Sequence, residues 1–344
     1  MPHNLDLKDK RIINELWANC RQSDSAIAKK VGLSREVVSY RIKRLESSGL
    51  IKDYITLVDT AALGYITYQV YLRLKDFNRE TESRILKIIK NNPYIKWLTN
   101  LSGQWDIFFV MISRSRVEFD SHLNTLIEAF QDNVAERLVL NGVEIYKGVE
   151  LALDGLEEDQ RHHHDETIEL HPEMSRAKIN TTDYEILRII SRDARMNVVN
   201  ISKLLKKNKI SLTPEAVTYR MKKLFEQKII RGYRAVIEHN KLNLLWYMLL
   251  LNLKTVPTDF AKKFKQFLRM NKTILFADKT LGSWNFRLEL LVKDHDAFQD
   301  QLIAIRNICS EHLNQYELLM VFNDHTMVSF TEGIYLDYIK KRKN

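Results

Sequence analysis

An α+β fold laid down twice is what this sequence predicts: two repeats, each a winged or three-helix helix-turn-helix followed by a ferredoxin-like βαββαβ domain. Three observations predict it. The 344-residue chain resembles itself at an offset of 174 and then 179 residues, the hydrophobic period within each copy changes from helical to alternating, and positive charge gathers early in each copy.

The duplication comes first because it organises everything else. Leu5-Asp6-Leu7-Lys8-Asp9 through Ile12-Ile13 returns as Ile179-Asn180-Thr181-Thr182-Asp183 through Ile186-Leu187. Tyr40-Arg41-Ile42-Lys43-Arg44-Leu45 returns as Tyr219-Arg220-Met221-Lys222-Lys223-Leu224, and Gly103-Gln104-Trp105-Asp106 as Gly282-Ser283-Trp284-Asn285. The growth of the offset places a five-residue insertion between Leu205 and Thr213.

Charge follows the same division. Net charge is +5 over residues 1–52, −2 over 53–150, −5 over 151–178, +7 over 179–231 and +4 over 232–344. Short basic modules followed by less basic ones suit a nucleic-acid binder with attached non-binding domains, because phosphate neutralisation needs local cations. These boundaries are the expected domains: helix-turn-helix 1–52, βαββαβ 53–150, acidic linker 151–178, helix-turn-helix 179–231, and βαββαβ 232–344 with a basic tail.

Composition excludes several classes. At 45% hydrophobic the chain is neither disordered nor collagenous. Cys20 and Cys309 stand alone, which argues against a disulfide framework or a thiolate zinc site and suits a reducing cytosol. The longest apolar stretch, Leu244 to Leu253, is half of the roughly 20 residues that a bilayer span needs. No export or membrane crossing is expected.

In the first module, Ile12, Ile13 and Leu16 share one helical face, Ile27, Ala28 and Val31 the next, and Gly32 ends that helix. Ser34 can N-cap a third helix with Val38, Ile42 and Leu45 inward and Arg35, Glu36, Ser39, Tyr40, Lys43 and Arg44 mostly outward, and Gly49 stops it. Such a helix can lie in the major groove. Lys43 and Arg44 then read as phosphate anchors, Ser39 and Tyr40 as candidates for reading sequence. Glu36 either accepts from a cytosine amino group or favours the helix N-terminus, and Arg41 either reaches a phosphate or is structural.

The second module repeats this with Ile186, Leu187 and Ile190, then Ile201, Leu204 and Leu205, then Thr213 as N-cap with Pro214 at the first helical position. Its third helix offers Glu215, Thr218, Tyr219, Lys222 and Lys223 outward. The stretch Lys206 to Leu212 replaces the tight glycine corner as a longer loop, which either adds phosphate contacts or tilts the helix away from DNA.

After each module the period switches. Strands are expected at Ile66 to Lys75, Ile95 to Leu101, Trp105 to Ile112 and Val134 to Leu140, with helices at Glu80 to Asn91 and Val117 to Phe130. The second copy runs Leu245 to Lys254, Asp259 to Met270, Thr273 to Leu281, Trp284 to Val292, Asp296 to Ile308 and Leu313 to Val321. A βαββαβ sheet carries helices on one face and leaves the other to be covered, which pairing of the two copies would achieve.

On these residues the sequence resembles the Lrp/AsnC family of bacterial and archaeal transcriptional regulators. The resemblance covers both halves: GLSREVVSYRIKRLESSGLI in a helix-turn-helix, a linking strand near Ile51 to Asp59, and a βαββαβ domain with the hairpin GQWD. It implies a cytoplasmic, non-enzymatic regulator of transcription that binds double-stranded DNA sequence-specifically and needs no cofactor. Dimerisation through the βαββαβ sheets, here within one chain as a pseudo-dimer and with possible higher homo-oligomers, is also implied. So is sensing of an amino acid or related small molecule near Gly103, Gln104, Trp105 and Asp106 and near Gly282, Ser283, Trp284 and Asn285. Asn285 stands where the family's acidic residue would be. The alternative for both hairpins is a β-turn whose tryptophan packs in the core.

A rival function uses the same scaffold. Siroheme decarboxylases resemble Lrp-type proteins and occur as fused two-repeat chains, so architecture alone does not reject an enzyme. Their resemblance calls for a histidine and basic residues near the strand after the hairpin, and Thr99 to Ile112 and Asp278 to Val292 hold no histidine. No nucleotide-binding, HExxH or GxSxG motif is present, and His162-His163-His164 reads as a solvated linker run rather than a metal site.

Overall fold

The computed structural model describes residues 5–75, 78–149, 151, 153, 168–169 and 179–343. The expected linker and its histidine run lie almost wholly outside the described residues.

The first helix-turn-helix comprises α1 (Leu7–Ala18), α2 (Asp24–Val31) and α3 (Arg35–Ser47). A capping box closes the start of α1, where the Asp6 carboxylate accepts from the Asp9 amide at 2.8 Å and Asp9 returns the bond. Gly32 ends α2 at φ +66° and Gly49 stops the chain after α3 at φ +68°, conformations that glycine adopts without steric cost. The second comprises α6 (Thr181–Arg192), α7 (Val198–Lys207) and α8 (Pro214–Glu226). Here the expected loop is corrected: Lys206 and Lys207 belong to the last turn of α7, and only Asn208 to Leu212 connects the helices.

Lys228 takes the place of Gly49 in the second copy at φ +57°. A side chain in the left-handed region costs about 1–2 kcal/mol, and glycine returns part of that as chain entropy. Lys228→Gly is expected to stabilise the protein by about 0.5–1 kcal/mol, read as a higher unfolding midpoint. An unchanged or lower midpoint would contradict it.

Each repeat then sends one strand, β1 (Ile51–Val58) or β7 (Ile230–Ile237), into a two-stranded antiparallel ribbon. The boundary expected at residue 52 falls inside β1. The helices cross over: the Cys20 amide after α1 donates to the Tyr233 carbonyl on β7 at 3.0 Å, and the Ala194 amide after α6 donates to the Tyr54 carbonyl on β1 at 3.0 Å. Both helix-turn-helix units are thereby anchored to one ribbon, each through the other repeat's strand.

The remaining strands are β2 (Ile66–Leu74), β3 (Ile95–Ser102), β4 (Ile107–Ser113) and β5 (Val134–Lys147), with α4 (Arg79–Lys90) and α5 (Arg116–Glu128) between them. A two-residue strand, β6 (Ile168–Glu169), adds to the edge of β5. The second copy supplies β8 (Leu245–Leu253), α9 (Thr258–Met270), β9 (Ile274–Leu281), β10 (Phe286–Val292), α10 (His295–Cys309) and β11 (Leu313–Met327). Each copy is the expected βαββαβ. Their sheets join edge to edge twice, β3 with β11 and β5 with β9. Since β2 also pairs with β5, the eight long strands close into one antiparallel barrel.

Closure explains where the last strands end. Sequence periodicity stops at Leu140 and Val321, but β5 and β11 run on to Lys147 and Met327, and those extensions carry much of the ladder to the other repeat. Strand β4 is buried along its whole length because Ile107, Phe109 and Met111 face the helices while Phe108 and Val110 face the barrel interior. Each such fully buried side chain contributes about 1.5–3 kcal/mol of apolar transfer.

The basic tail is a helix, α11 (Glu332–Lys343), another departure from expectation. It docks where Gly333 meets repeat 1: a Cβ there would lie 2.4 Å from the Tyr94 ring and 2.8 Å from the Pro93 carbonyl, so no larger residue fits. No helix among the described residues is long and apolar enough to cross a membrane. Both cysteines are free and buried, and burial pushes each thiol up to about 12.

Candidate nucleic-acid interface

The third helix of each basic module forms because its start is capped and one stripe is apolar. The Ser34 hydroxyl accepts from the Val37 amide at 3.3 Å, and the Thr213 hydroxyl from the Ala216 amide at 3.2 Å. Val38, Ile42 and Leu45 in α3, and Val217, Met221 and Leu224 in α8, are buried against their modules. The opposite faces are left to solvent.

Most of the expected contact residues lie on those faces. Ser34, Arg35, Glu36, Tyr40, Lys43 and Arg44 are exposed on α3, as are Thr213, Glu215, Thr218, Tyr219, Lys222 and Lys223 on α8. Tyr40 and Tyr219 occupy matched positions and are 67% and 69% exposed, although large aromatic side chains ordinarily bury most of their surface. Ser39 is half-buried. The Thr218 hydroxyl bonds back to the Pro214 carbonyl at 2.9 Å, which leaves it as an acceptor toward the outside.

The cations divide into two groups. Arg41 is structural: its guanidinium bridges Asp6 at 2.7 Å and the buried Asp9 at 2.8 Å, binding α3 to the start of α1. Arg220 repeats this with Asp183 at 2.9 Å. Arg44, expected as a phosphate anchor, also reaches Asp9, at 2.6 Å, so part of its charge is already neutralised. Lys222 has only a loose exposed pair with Glu226 at 3.7 Å, while Arg35, Lys43 and Lys223 have no ion pair among the described residues. These four are the cations best placed to meet phosphate.

Glu36 and Glu215 sit in the first helical turns. Bonds from backbone amides, with help from the Ser34 and Thr213 hydroxyls, hold both carboxyls below the usual range. That is the local stabilisation a helix N-terminus gives an anion.

The glycine hairpins serve the barrel. Trp105 and Trp284 are buried in its interior cluster. The Asp106 carboxylate accepts from the Leu74 amide at 2.7 Å, and Asn285 accepts from the equivalent Leu253 amide, so carboxylate and amide do the same work. Gly103 and Gly282, at φ +134° and +147°, let each hairpin pack on the other repeat: a Cβ would meet Leu319 at 2.8 Å and Leu140 at 2.6 Å. Gly103, Gln104, Gly282 and Ser283 remain exposed.

Sequence reasoning missed a polar cluster inside the barrel. Arg287 pairs with Asp278 at 3.0 Å and with Glu289 at 3.5 Å, all three almost fully buried, and the Gln69 amide donates to Asp278 at 2.6 Å. A signal was present, since Arg287 and Glu289 alternate with apolar residues, but alternation ordinarily marks a solvent face.

Known proteins share both the module and the whole fold. Residues 5–52 match the winged helix-turn-helix DNA-binding family. The transcriptional regulator AzlB of Bacillus subtilis is 30% identical over 132 residues, covering 38% of this chain and 82% of AzlB. The chain belongs to the Lrp/AsnC family. A second relative, the proline dehydrogenase transcriptional activator of Rhodobacter capsulatus, is 31% identical over 117 residues, 33% of this chain and 75% of its own length. Among solved structures, the siroheme decarboxylase NirDL superposes with a TM-score of 0.60 at 14% identity, over 98% of this chain and 100% of that one. At that identity the likeness is one of fold. This Lrp/AsnC chain spans most of the length of each relative with less than half of its own.

Proposed function

We propose that this Lrp/AsnC protein is a sequence-specific DNA-binding regulator of transcription. Two unlike readers, in 1–52 and 179–231, are carried on one intrachain pseudo-dimer made by 53–150 and 232–344. The observation that carries this is the matched pair of solvent-exposed tyrosines on two capped, cation-bearing helices anchored to a single ribbon. Two different recognition helices favour an asymmetric operator over a palindrome. A cytoplasmic location, higher assembly and an effector of amino-acid type belong to the same proposal. Because the hairpin tryptophans and Asp106 are engaged, such an effector would meet only the exposed Gly103–Gln104 and Gly282–Ser283 edges.

Selection of genomic fragments by the purified protein, followed by gel-shift titration, tests this. Tyr40→Ala is expected to relax specificity by the roughly 1–3 kcal/mol of a base contact. Lys43→Ala should instead weaken all sequences alike and reduce the salt slope by about 1. An effect of Tyr40→Ala with none of Tyr219→Ala would reduce the second module to a scaffold. No retardation of any probe at low ionic strength would overturn the function.

A second reading, an enzyme acting on a tetrapyrrole, has in its favour the full-length likeness to a siroheme decarboxylase. Against it, the stretches Thr99 to Ile112 and Asp278 to Val292 contain no histidine and the recognition helices are intact. Strong tetrapyrrole absorption in the purified protein would favour the enzyme.

A further inference from the structure

Between the ribbon and the mouth of the barrel the described residues leave a cavity of about 860 Å³. That volume lies within the range of pockets for drug-sized ligands, and barrel mouths are a common place for them. Much of its surface is apolar and aromatic: Ile55 and Leu57 of the ribbon, Leu275 of the barrel, and Trp97 and Trp246, whose rings stack at 5.6 Å. The glycine hairpins are not among its walls.

Its polar walls contain a buried cation without a counter-ion among the described residues. Arg234 is 6% exposed, its guanidinium lies 4.7 Å above the Trp17 ring, and its Nε has no hydrogen-bond partner among the described residues. No carboxylate pairs with Arg234 among the described residues, and burial pushes it down to about 10. Among the described residues Lys96 reaches only the Thr60 hydroxyl, at 3.3 Å, and burial pushes it down to about 8 despite the field of Asp59. Arg287 Nη1 likewise lacks a hydrogen-bond partner among the described residues, although Arg287 has its two carboxylates nearby.

A buried cation without a counter-ion is costly, and the unpaired Arg234 guanidinium on the wall of this cavity points to an acceptor brought from outside. Aromatic walls add that its body is flat and apolar. We propose that this cavity binds a flat, largely apolar carboxylate, with its ring system against the aromatic walls and its carboxylate taken by Arg234 with help from Lys96. This rests on neither reading of function, since binding is measured without DNA or turnover.

The probe is 1-pyrenebutyrate, titrated into the full chain while tryptophan emission and sensitised pyrene emission are followed, with 1-pyrenebutanol as its neutral counterpart. Saturable one-to-one binding is expected, with the acid held at least about tenfold more tightly than the alcohol. Arg234→Met should remove most of that preference and leave the alcohol unchanged, Arg234→Lys should restore part of it, and Lys96→Met should weaken the acid several-fold. Thermal unfolding checks that each variant is folded, and Lys96→Met carries the test if Arg234→Met is not. Absence of saturable binding, equal affinity for acid and alcohol, or indifference of the acid to substitution at both Arg234 and Lys96 would overturn the proposal.

Discussion

Asp337→Ala is expected to lower the stability of the protein by about 2–4 kcal/mol, among the largest losses available from one side chain outside the apolar core. Asp337 lies in α11, 6% exposed, and its two oxygens serve four donors. Tyr94 donates to Oδ1 at 2.8 Å and Tyr65 to Oδ2 at 2.9 Å, while Arg114 places Nη2 3.0 Å from Oδ1 and Nε 3.1 Å from Oδ2. Removing the carboxylate leaves the two buried phenols without their acceptor, which costs more than the bonds themselves contribute, and leaves the exposed Arg114 with Glu118 alone among the described residues, at 3.9 Å. The same helix also grips the second helix-turn-helix, where Tyr338 stacks on Tyr184 at 3.9 Å and Tyr335 bonds to Glu185. Losing Asp337 should therefore raise amide exchange in α11 and at the start of α6 together. Urea unfolding with exchange measurements checks both parts, and a loss below about 1 kcal/mol would mean that the clamp is dispensable.

Glu289→Gln is expected to change how stability depends on pH. Burial raises the Glu289 carboxyl from the usual 4.5 to about 7, although Arg287 opposes the rise. A group whose folded pKa is raised supplies stability that is complete below its unfolded value and is lost as pH climbs through the folded value. The wild-type protein should therefore lose stability between about pH 4.5 and 7 through this group. Glutamine does not titrate, so the variant should gain on the wild type by about 1–3 kcal/mol between pH 5 and 8. His239, pushed down to about 4 by burial, and Lys96, pushed down to about 8, act in the opposite sense because each loses stability as pH falls. Both are present in both proteins and cancel in the difference. Parallel stability curves for wild type and variant across this range would refute the assignment.

Much of the fold was legible because it is written in short windows. Caps at Ser34 and Thr213, stripes such as Val38, Ile42 and Leu45, and glycine stops at Gly32 and Gly49 are relations among residues a few positions apart. They located every helix of both basic modules and the outward faces of α3 and α8. The same windows misplaced Lys206 and Lys207, because the chain after α7 turns through Lys209 at φ +62° rather than at a glycine. Arg41 could not be decided from sequence, since its partners Asp6 and Asp9 lie more than thirty residues away in α1.

By itself, the sequence determined that one plan is used twice, with a cationic third helix in each copy and a βαββαβ unit behind it. Only the tertiary structure decided that the two sheets close on each other, how far β5 and β11 run, and that the tail becomes a docked helix. Closure also reversed the sense of an alternating strand: Arg287 and Glu289, which local pattern alone would turn to solvent, became the charged interior of a barrel. The reason is distance along the chain. Periodicity reports which side of an element is apolar, whereas what that side or its opposite meets depends on ladders such as Leu101 with Val321, whose partners no local pattern can pair.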